Sequence, residues 1–233
     1  MTGVEDQYNA QPDVEWNRLI RDPYHRLEFY DFMHQIKKHL PKSGLILDAG
    51  GGPGRYTIEF ARMGYDVILL DLSSGCIELA KKNRLAEPEE VRRRIKELTI
   101  GSITNLQRYN TEMFDAVICL DPLSCLSKDT ERSKAVSELV RVAKPGATVA
   151  LAVRGYLDVL RTILRIASHL LVDGSLGELE RTGNLKCGDV PYHFFCADEL
   201  KALVESHGLT TVLMAGGEGL SSGLPEATAA IEE

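Results

Sequence analysis

With 233 residues, 44% of them hydrophobic and 26% charged, the chain has the size and composition of one globular domain rather than two. A formal charge of −7 and a pI near 5.5 exclude a broad phosphate-binding footprint, which depends on clustered Lys and Arg. The basic run Arg92-Arg93-Arg94 with Lys96 is flanked by Glu87, Glu89, Glu90 and Glu97, the pattern of a solvated mixed-charge face.

Residues 1–10 are polar and acidic and lack the apolar stretch of a signal peptide, and no run approaches a membrane span, so the expected location is cytoplasmic. Five cysteines, at 76, 119, 125, 187 and 196, show neither CxxC nor Cys/His ligand spacing, so no disulfide framework and no metal site is expected. Residues 1–12 read as loose chain. Asp13 is positioned to cap a helix carrying Trp16, Leu19 and Ile20, interrupted at Pro23. A second helix follows, with Leu27, Phe29, Phe32, Met33, Ile36 and Leu40 on one stripe, ending before Pro41. Residues 1–43 thus form a helical cover on what comes next.

From Leu45 short apolar runs alternate with amphipathic segments, which predicts βαβ units and a doubly wound, mostly parallel sheet. Strands are expected at 45–48, 66–71, 94–100, 114–120, 147–153 and 209–214. Ser73 or Ser74 can cap one intervening helix and Asp129 another, the latter ending before Lys144-Pro145-Gly146. Ala197 or Asp198 begins a third, with Gly208 as its C-terminal stop. Residues 44–154 form the core of the single domain, and 155–196 are too long for a plain connection. That insertion is expected to hold a helix over Leu157–Leu171 and a glycine-containing loop over Gly174–Asp189, acting as a substrate lid after strand five. Residues 197–233 supply a last helix, a strand and a tail without a further apolar run, so a seventh strand is expected to be missing.

The organising stretch is Leu45-Ile46-Leu47-Asp48-Ala49-Gly50-Gly51-Gly52-Pro53-Gly54, followed by a helix-like run and then by Val67–Leu70 ending at Asp71. Glycines let a ligand approach main-chain N–H groups where a Cβ would block it. A dinucleotide loop of the form G-x-G-x-x-G fails, because Arg55 stands where the third glycine belongs, and no G-x-x-x-x-G-K-S/T phosphate loop occurs. The spacing present is Asp-x-Gly-x-Gly-x-Gly: Asp48, Gly50, Gly52 and Gly54, with Asp71 ending the next strand. An ionised carboxylate such as Asp71 accepts from both hydroxyls of a ribose and repels a 2′-phosphate, which disfavours NADP.

This pattern resembles the class I S-adenosylmethionine-dependent methyltransferase family from Leu45 to about Met214. The resemblance rests on that loop, Asp71-Leu72-Ser73, the Gly101-Ser102-Ile103 turn, the Phe114–Leu120 strand and the run LVRVAKPG at 139–146. It implies a Rossmann-like fold and S-adenosyl-L-methionine as cofactor. The contacts it implies are Asp48, Gly50, Gly51, Gly52, Gly54 and Tyr56 from the loop and its helix. Asp71 follows at the ribose, with Leu72 a further cofactor contact beside it, Ser102 and Ile103 at the adenine, and Leu120 at the methyl-transfer site. Many members carry an acid where Ser102 stands, so adenine recognition here is expected from Ile103 and backbone groups. Asp121-Pro122-Leu123-Ser124 is only partly similar to the Asp/Asn-Pro-Pro-Tyr/Phe signature of enzymes that methylate nucleic-acid amino groups.

Methyl transfer from a sulfonium needs mainly proximity and orientation, with a general base only where the acceptor is protonated. Candidates near the mouth are Tyr24, His25, Arg26, Tyr30, His34, Asp121, Ser124, Arg154, Tyr156, Tyr192 and His193, with His25 and Asp121 the first choices for catalysis. The layout is similar to the ubiquinone and menaquinone biosynthesis branch, implying a small-molecule methyl acceptor, no nucleic acid, no membrane, and a monomer or homodimer. The alternatives are an NAD-dependent oxidoreductase and a cofactor-binding regulatory protein without catalysis.

Overall fold

The computed structural model describes residues 3–188 and 190–216, apart from the side chain of residue 166. In chain order the elements are α1 (Gly3–Ala10), α2 (Pro12–Arg18), α3 (Pro23–His39), β1 (Leu45–Ala49), α4 (Arg55–Arg62), β2 (Asp66–Asp71), α5 (Ser74–Leu85), α6 (Glu89–Arg94) and β3 (Ile95–Ile100). Then come β4 (Phe114–Leu120), α7 (Asp129–Val142), β5 (Ala143–Ala152), α8 (Tyr156–Ile166), α9 (Ser175–Thr182), β6 (Asn184–Cys187), β7 (Val190–His193) and α10 (Ala197–Ser206).

The main sheet has the order β3-β2-β1-β4-β5 and every pairing in it is parallel. Helices on both faces explain why its central strands are continuous apolar runs rather than alternating ones. Leu47 and Ala49 point to the face covered by α7 and α10, where Ala135, Val136, Leu139 and Phe195 complete the core. Ile46 points to the opposite face, against Met33 and Ile36 of α3 and Ile58, Phe60 and Ala61 of α4. At the amino end of the sheet one carboxylate fastens three strands: Asp115 accepts from Leu45 N at 2.8 Å and from Lys144 Nζ at 2.6 Å.

Local chemistry sets the helix starts. Ser73 Oγ accepts from Cys76 N at 3.0 Å to cap α5, and Asp22 accepts from His25 N at 3.0 Å to cap α3, with Pro23 in the first turn. Gly208, at φ +88, follows α10 in the left-handed conformation expected of a helix stop.

Four expectations need correction. Residues 3–10 are helical rather than loose, and α2 starts at Pro12 with Gln11 before it rather than with Asp13 as cap. The Gly174–Asp189 region is not a plain loop: α9 is followed by the antiparallel hairpin β6–β7, and the insertion has its own core of Val159, Ile163, Leu179, Leu185, Tyr192 and Phe194. The strand expected at 209–214 does not form, and Val212 is 78% exposed. A strand needs a partner for its backbone groups, and this segment pairs with none of the described strands. The main sheet therefore has five strands among the described residues, and the tail beyond 216 lies outside them.

Candidate active site

The carboxyl ends of β1, β2, β4 and β5 open into a cavity of about 1620 Å³, roofed by the N-terminal helices on one side and the 155–196 insertion on the other. On its β1–β2 side the glycine loop is fixed by close packing. Gly50, at φ +83, donates its N–H to Leu70 O at 2.6 Å, and a Cβ there would lie 2.1 Å from Pro122 Cγ. A Cβ on Gly51 would lie 2.5 Å from Asp48 Oδ2. Gly52 points instead into the cavity, where Glu15 Cγ, at 3.7 Å, is the neighbour its Cβ would meet. Gly54, at φ +88, caps α4 from behind the loop and does not line the cavity.

Two carboxylates flank this loop. Asp48 is buried and accepts from Thr57 Oγ1 at 2.6 Å; burial pushes its pKa up to about 7 against the pull of that bond. Asp71 ends β2 with Oδ2 on Gly52 N at 2.8 Å and Oδ1 on Ser73 N at 2.8 Å. Burial raises its pKa from the ordinary carboxylate value, opposed by those two N–H donors. The carboxylate is therefore aimed by the same glycine loop that it helps to hold.

Farther along, Leu72, Ser102, Ile103, Tyr56 and Leu120 line the cavity as the sequence pattern places them. Ser102 Oγ bonds with Thr104 Oγ1 at 2.8 Å, so its hydroxyl already has a partner within its own turn. The Tyr56 hydroxyl is buried without a hydrogen-bond partner among the described residues. Beside it α2 and α3 supply a charged bridge: Arg18 pairs with Glu15 at 3.0 Å and Glu28 at 2.8 Å. Arg55 donates to Trp16 O and stacks 3.8 Å over the Trp16 ring, tying α2 to α4.

The side toward the insertion centres on Asp121 and Arg154, at the ends of β4 and β5. Arg154 grips Asp121 through Nε, at 3.1 Å to each oxygen, and Nη2, at 2.8 Å, and stacks 3.9 Å over the Tyr192 ring. Asp121 is held at φ +82, a conformation a non-glycine residue adopts only where its surroundings impose it. Ser124 is buried behind the pair, its Oγ accepting from Arg154 N at 2.8 Å. Tyr8 of α1 closes the other side, with burial raising its pKa, and burial also pushes the Cys125 thiol up to about 12.

The structure does not bring His25 to this cavity. Its N–H and ring serve the start of α3, with Nδ1 at 2.8 Å from Asp22 and the ring also bonded to Arg21. Tyr24, Arg26, Tyr30 and His34 likewise do not line it, whereas Tyr156 does. His193 borders a separate cavity of about 320 Å³, where its ring joins Asn184 at 2.9 Å to Glu199 at 2.6 Å and so ties the hairpin to α10. Sequence reading missed Tyr8, Glu15, Arg18, Glu28 and Cys125. Glu15 and Arg18, one turn apart on α2, carried a signal that could have been used; Tyr8, in a polar octet, did not. No cluster of three metal-ligating side chains exists among the described residues.

Comparison with known proteins agrees with this geometry. The family described as a methyltransferase domain matches residues 47–151, which spans the glycine loop, Asp71, Ser102 and Asp121. The chain is 36% identical over 106 residues to the demethylmenaquinone methyltransferase of Streptomyces avermitilis, covering 46% of this chain and 40% of that protein. It is 33% identical over 118 residues to the tRNA (carboxymethyluridine(34)-5-O)-methyltransferase of Arabidopsis thaliana, covering 49% of this chain and 25% of that one. The chain thus spans less than half the length of either relative. Among solved structures, a methyltransferase of Methanosarcina mazei described as SAM-dependent superposes with a TM-score of 0.61 at 24% identity, covering 74% of this chain and 82% of that chain, a likeness of fold. Over residues 47–151 the chain is therefore similar to the methyltransferase domain family, and its fold is the Rossmann-like one of the Methanosarcina mazei methyltransferase.

Proposed function

We propose that the chain transfers a methyl group from S-adenosylmethionine to a small-molecule acceptor held between the ends of β4 and β5, α1 and the insertion. The observation that carries this reading is the cavity itself. Its volume of about 1620 Å³ exceeds the roughly 300–1,000 Å³ that one drug-sized ligand occupies, and it continues past the glycine loop to Asp121, Arg154 and Tyr8.

When bound, S-adenosylmethionine supplies a methyl group already activated on a positively charged sulfur. The residues present fit it: a loop that admits no Cβ at Gly50 or Gly51, an acceptor-only carboxylate at Asp71, an apolar wall at Ile103, and an orphaned hydroxyl at Tyr56. Asp71 would hold the ribose, and Leu72, Ser102 and Ile103 the base. Asp48 supports the loop from beneath through Gly51 and Thr57.

On the acceptor side, Arg154 and Asp121 form a self-neutralised pair, and the raised pKa values of Tyr8 and Cys125 keep both protonated at neutral pH. This wall orients a ligand and excludes water; Asp121 acts there as an acceptor positioned by its paired contacts with Arg154. The similarity to the demethylmenaquinone methyltransferase, and 29% identity to a ubiquinone biosynthesis O-methyltransferase of Xanthomonas oryzae, support a small aromatic or quinone-related acceptor. The net charge of −7 weighs against the nucleic-acid acceptor named for the Arabidopsis relative. Five free thiols, and the absence of a membrane-length apolar helix among the described residues, support a cytoplasmic setting.

Calorimetric titration with S-adenosylmethionine and S-adenosylhomocysteine tests the reading. Micromolar binding is expected, weakened at least 100-fold in Asp71→Ala. Absence of binding, or indifference to that substitution, overturns it.

A further inference from the structure

α1 reaches both halves of the cavity. On the side of the glycine loop, Asn9 Oδ1 accepts from Ser73 Oγ at 2.8 Å, Ser74 Oγ at 3.2 Å and Gly75 N at 2.9 Å. Those residues form the turn that leaves Asp71, whose own Oδ1 takes the Ser73 N–H. The fit is close: a Cβ on Gly75 would lie 3.0 Å from Asn9 O, and Cys76 Sγ donates to Tyr8 O at 3.8 Å.

On the side of the insertion, Gln7 Nε2 donates to Tyr192 Oη at 3.2 Å, and Val4 packs on the insertion's core. Gly3, Val4 and Tyr8 line the cavity. Yet α1 contributes no fully buried residue, so these few contacts, and no core of its own, hold it in place.

We propose that α1 is a strap across the cavity mouth and that Asn9 is its positioning residue. Asn9 does not touch the cofactor. It acts through Ser73–Gly75, fixing the turn that presents Asp71, while Gln7 of the same helix is pinned to Tyr192 of the insertion, so that release of a bound nucleoside requires the strap to let go of both. All three bonds at Asn9 run to a single acceptor oxygen, so Asp in its place keeps them and Ala keeps none.

The proposal rests on the cofactor reading above, and S-adenosylhomocysteine serves as the probe with the full chain. Stopped-flow dissociation, calorimetry and amide exchange over residues 3–10 are the readouts. Binding is expected to protect those amides. Asn9→Ala is expected to release the probe at least 10-fold faster, and Asn9→Asp to stay within twofold of the wild-type rate. Gly75→Ala, which suits a helix but presses on the Asn9 carbonyl, is expected to match Asn9→Ala in rate with no loss in melting temperature. Dissociation within twofold of wild type in both Asn9→Ala and Gly75→Ala, or equal acceleration in Asn9→Asp, overturns the strap while leaving the cofactor reading intact. No probe binding by the wild-type chain overturns both.

Discussion

The two halves of the cavity are built by different means. The half around Asp71 is made from strand ends and a loop whose conformation is dictated within ten residues, by glycines that alone fit against Pro122 and Asp48. The half around Arg154 is made from side chains delivered by α1, β4, β5 and β7, which meet only because the insertion folds back on its own small core. One half is rigid by backbone, the other by packing. A rigid half suits the invariant part of a reaction and a packed half the part that selects, because loops on a fixed scaffold change with least cost to the rest.

The largest test of this contrast is Gly50→Ala. The added methyl would overlap the Pro122 ring at a positive φ, and a loss of about 2–3 kcal/mol in stability is expected by denaturant titration, with cofactor binding lost as well. A stable, binding-competent variant would break the claim that backbone geometry builds this half. Next in size, Tyr192→Ala removes the ring beneath Arg154 and part of the insertion's core. A loss of about 2 kcal/mol is expected, confined in amide exchange to residues 155–196 and to the α1 segment that Tyr192 holds, with residues 45–72 protected as in the wild type. Global loosening would show that the halves are not separable.

The smallest effect is a matter of pH. Asp48 has a folded pKa near 7, above its unfolded value, so the folded state binds the extra proton. Its contribution to stability is then present at low pH and is lost as pH rises through about 7. Asp48→Asn, which keeps an acceptor for Thr57, is expected to flatten the fall in melting temperature between about pH 4 and 7. An unchanged slope would place the titration elsewhere.

The same contrast explains what could be read from the sequence. The Asp48–Gly54 spacing and Asp71 are local patterns with one physical meaning each, and β1 to β5 follow from apolar runs that only a doubly covered sheet needs. α1 is not legible as a helix because its eight residues carry no apolar stripe; Asn9 and Gln7 hold it, and their partners lie 64 to 66 and 185 residues away. The β6–β7 hairpin has a different cause: its strands are four residues each, too short for an apolar alternation to show, and they take their meaning from the insertion's core that Leu185, Val190 and Tyr192 enter. A histidine near a mouth invites a chemical role by its type alone, whereas the bond from His25 N to Asp22 shows it serving a helix start. The 209–214 segment has the composition of a strand, and composition alone does not supply a partner.

The insertion enters and leaves through a single doorway. Tyr156 N donates to Phe195 O at 2.9 Å, Phe195 N donates to Arg154 O at 2.8 Å, and Gly155 bridges Phe195 in parallel. Some forty residues therefore begin and end one hydrogen-bond step apart, so their length and contents place no demand on the distance between β5 and α10. In mechanical terms that doorway acts as a clasp: residues 155 and 195 are held together at the end of β5 whatever lies between them, so a change of length inside the insertion leaves the spacing of β5 and α10 as it is.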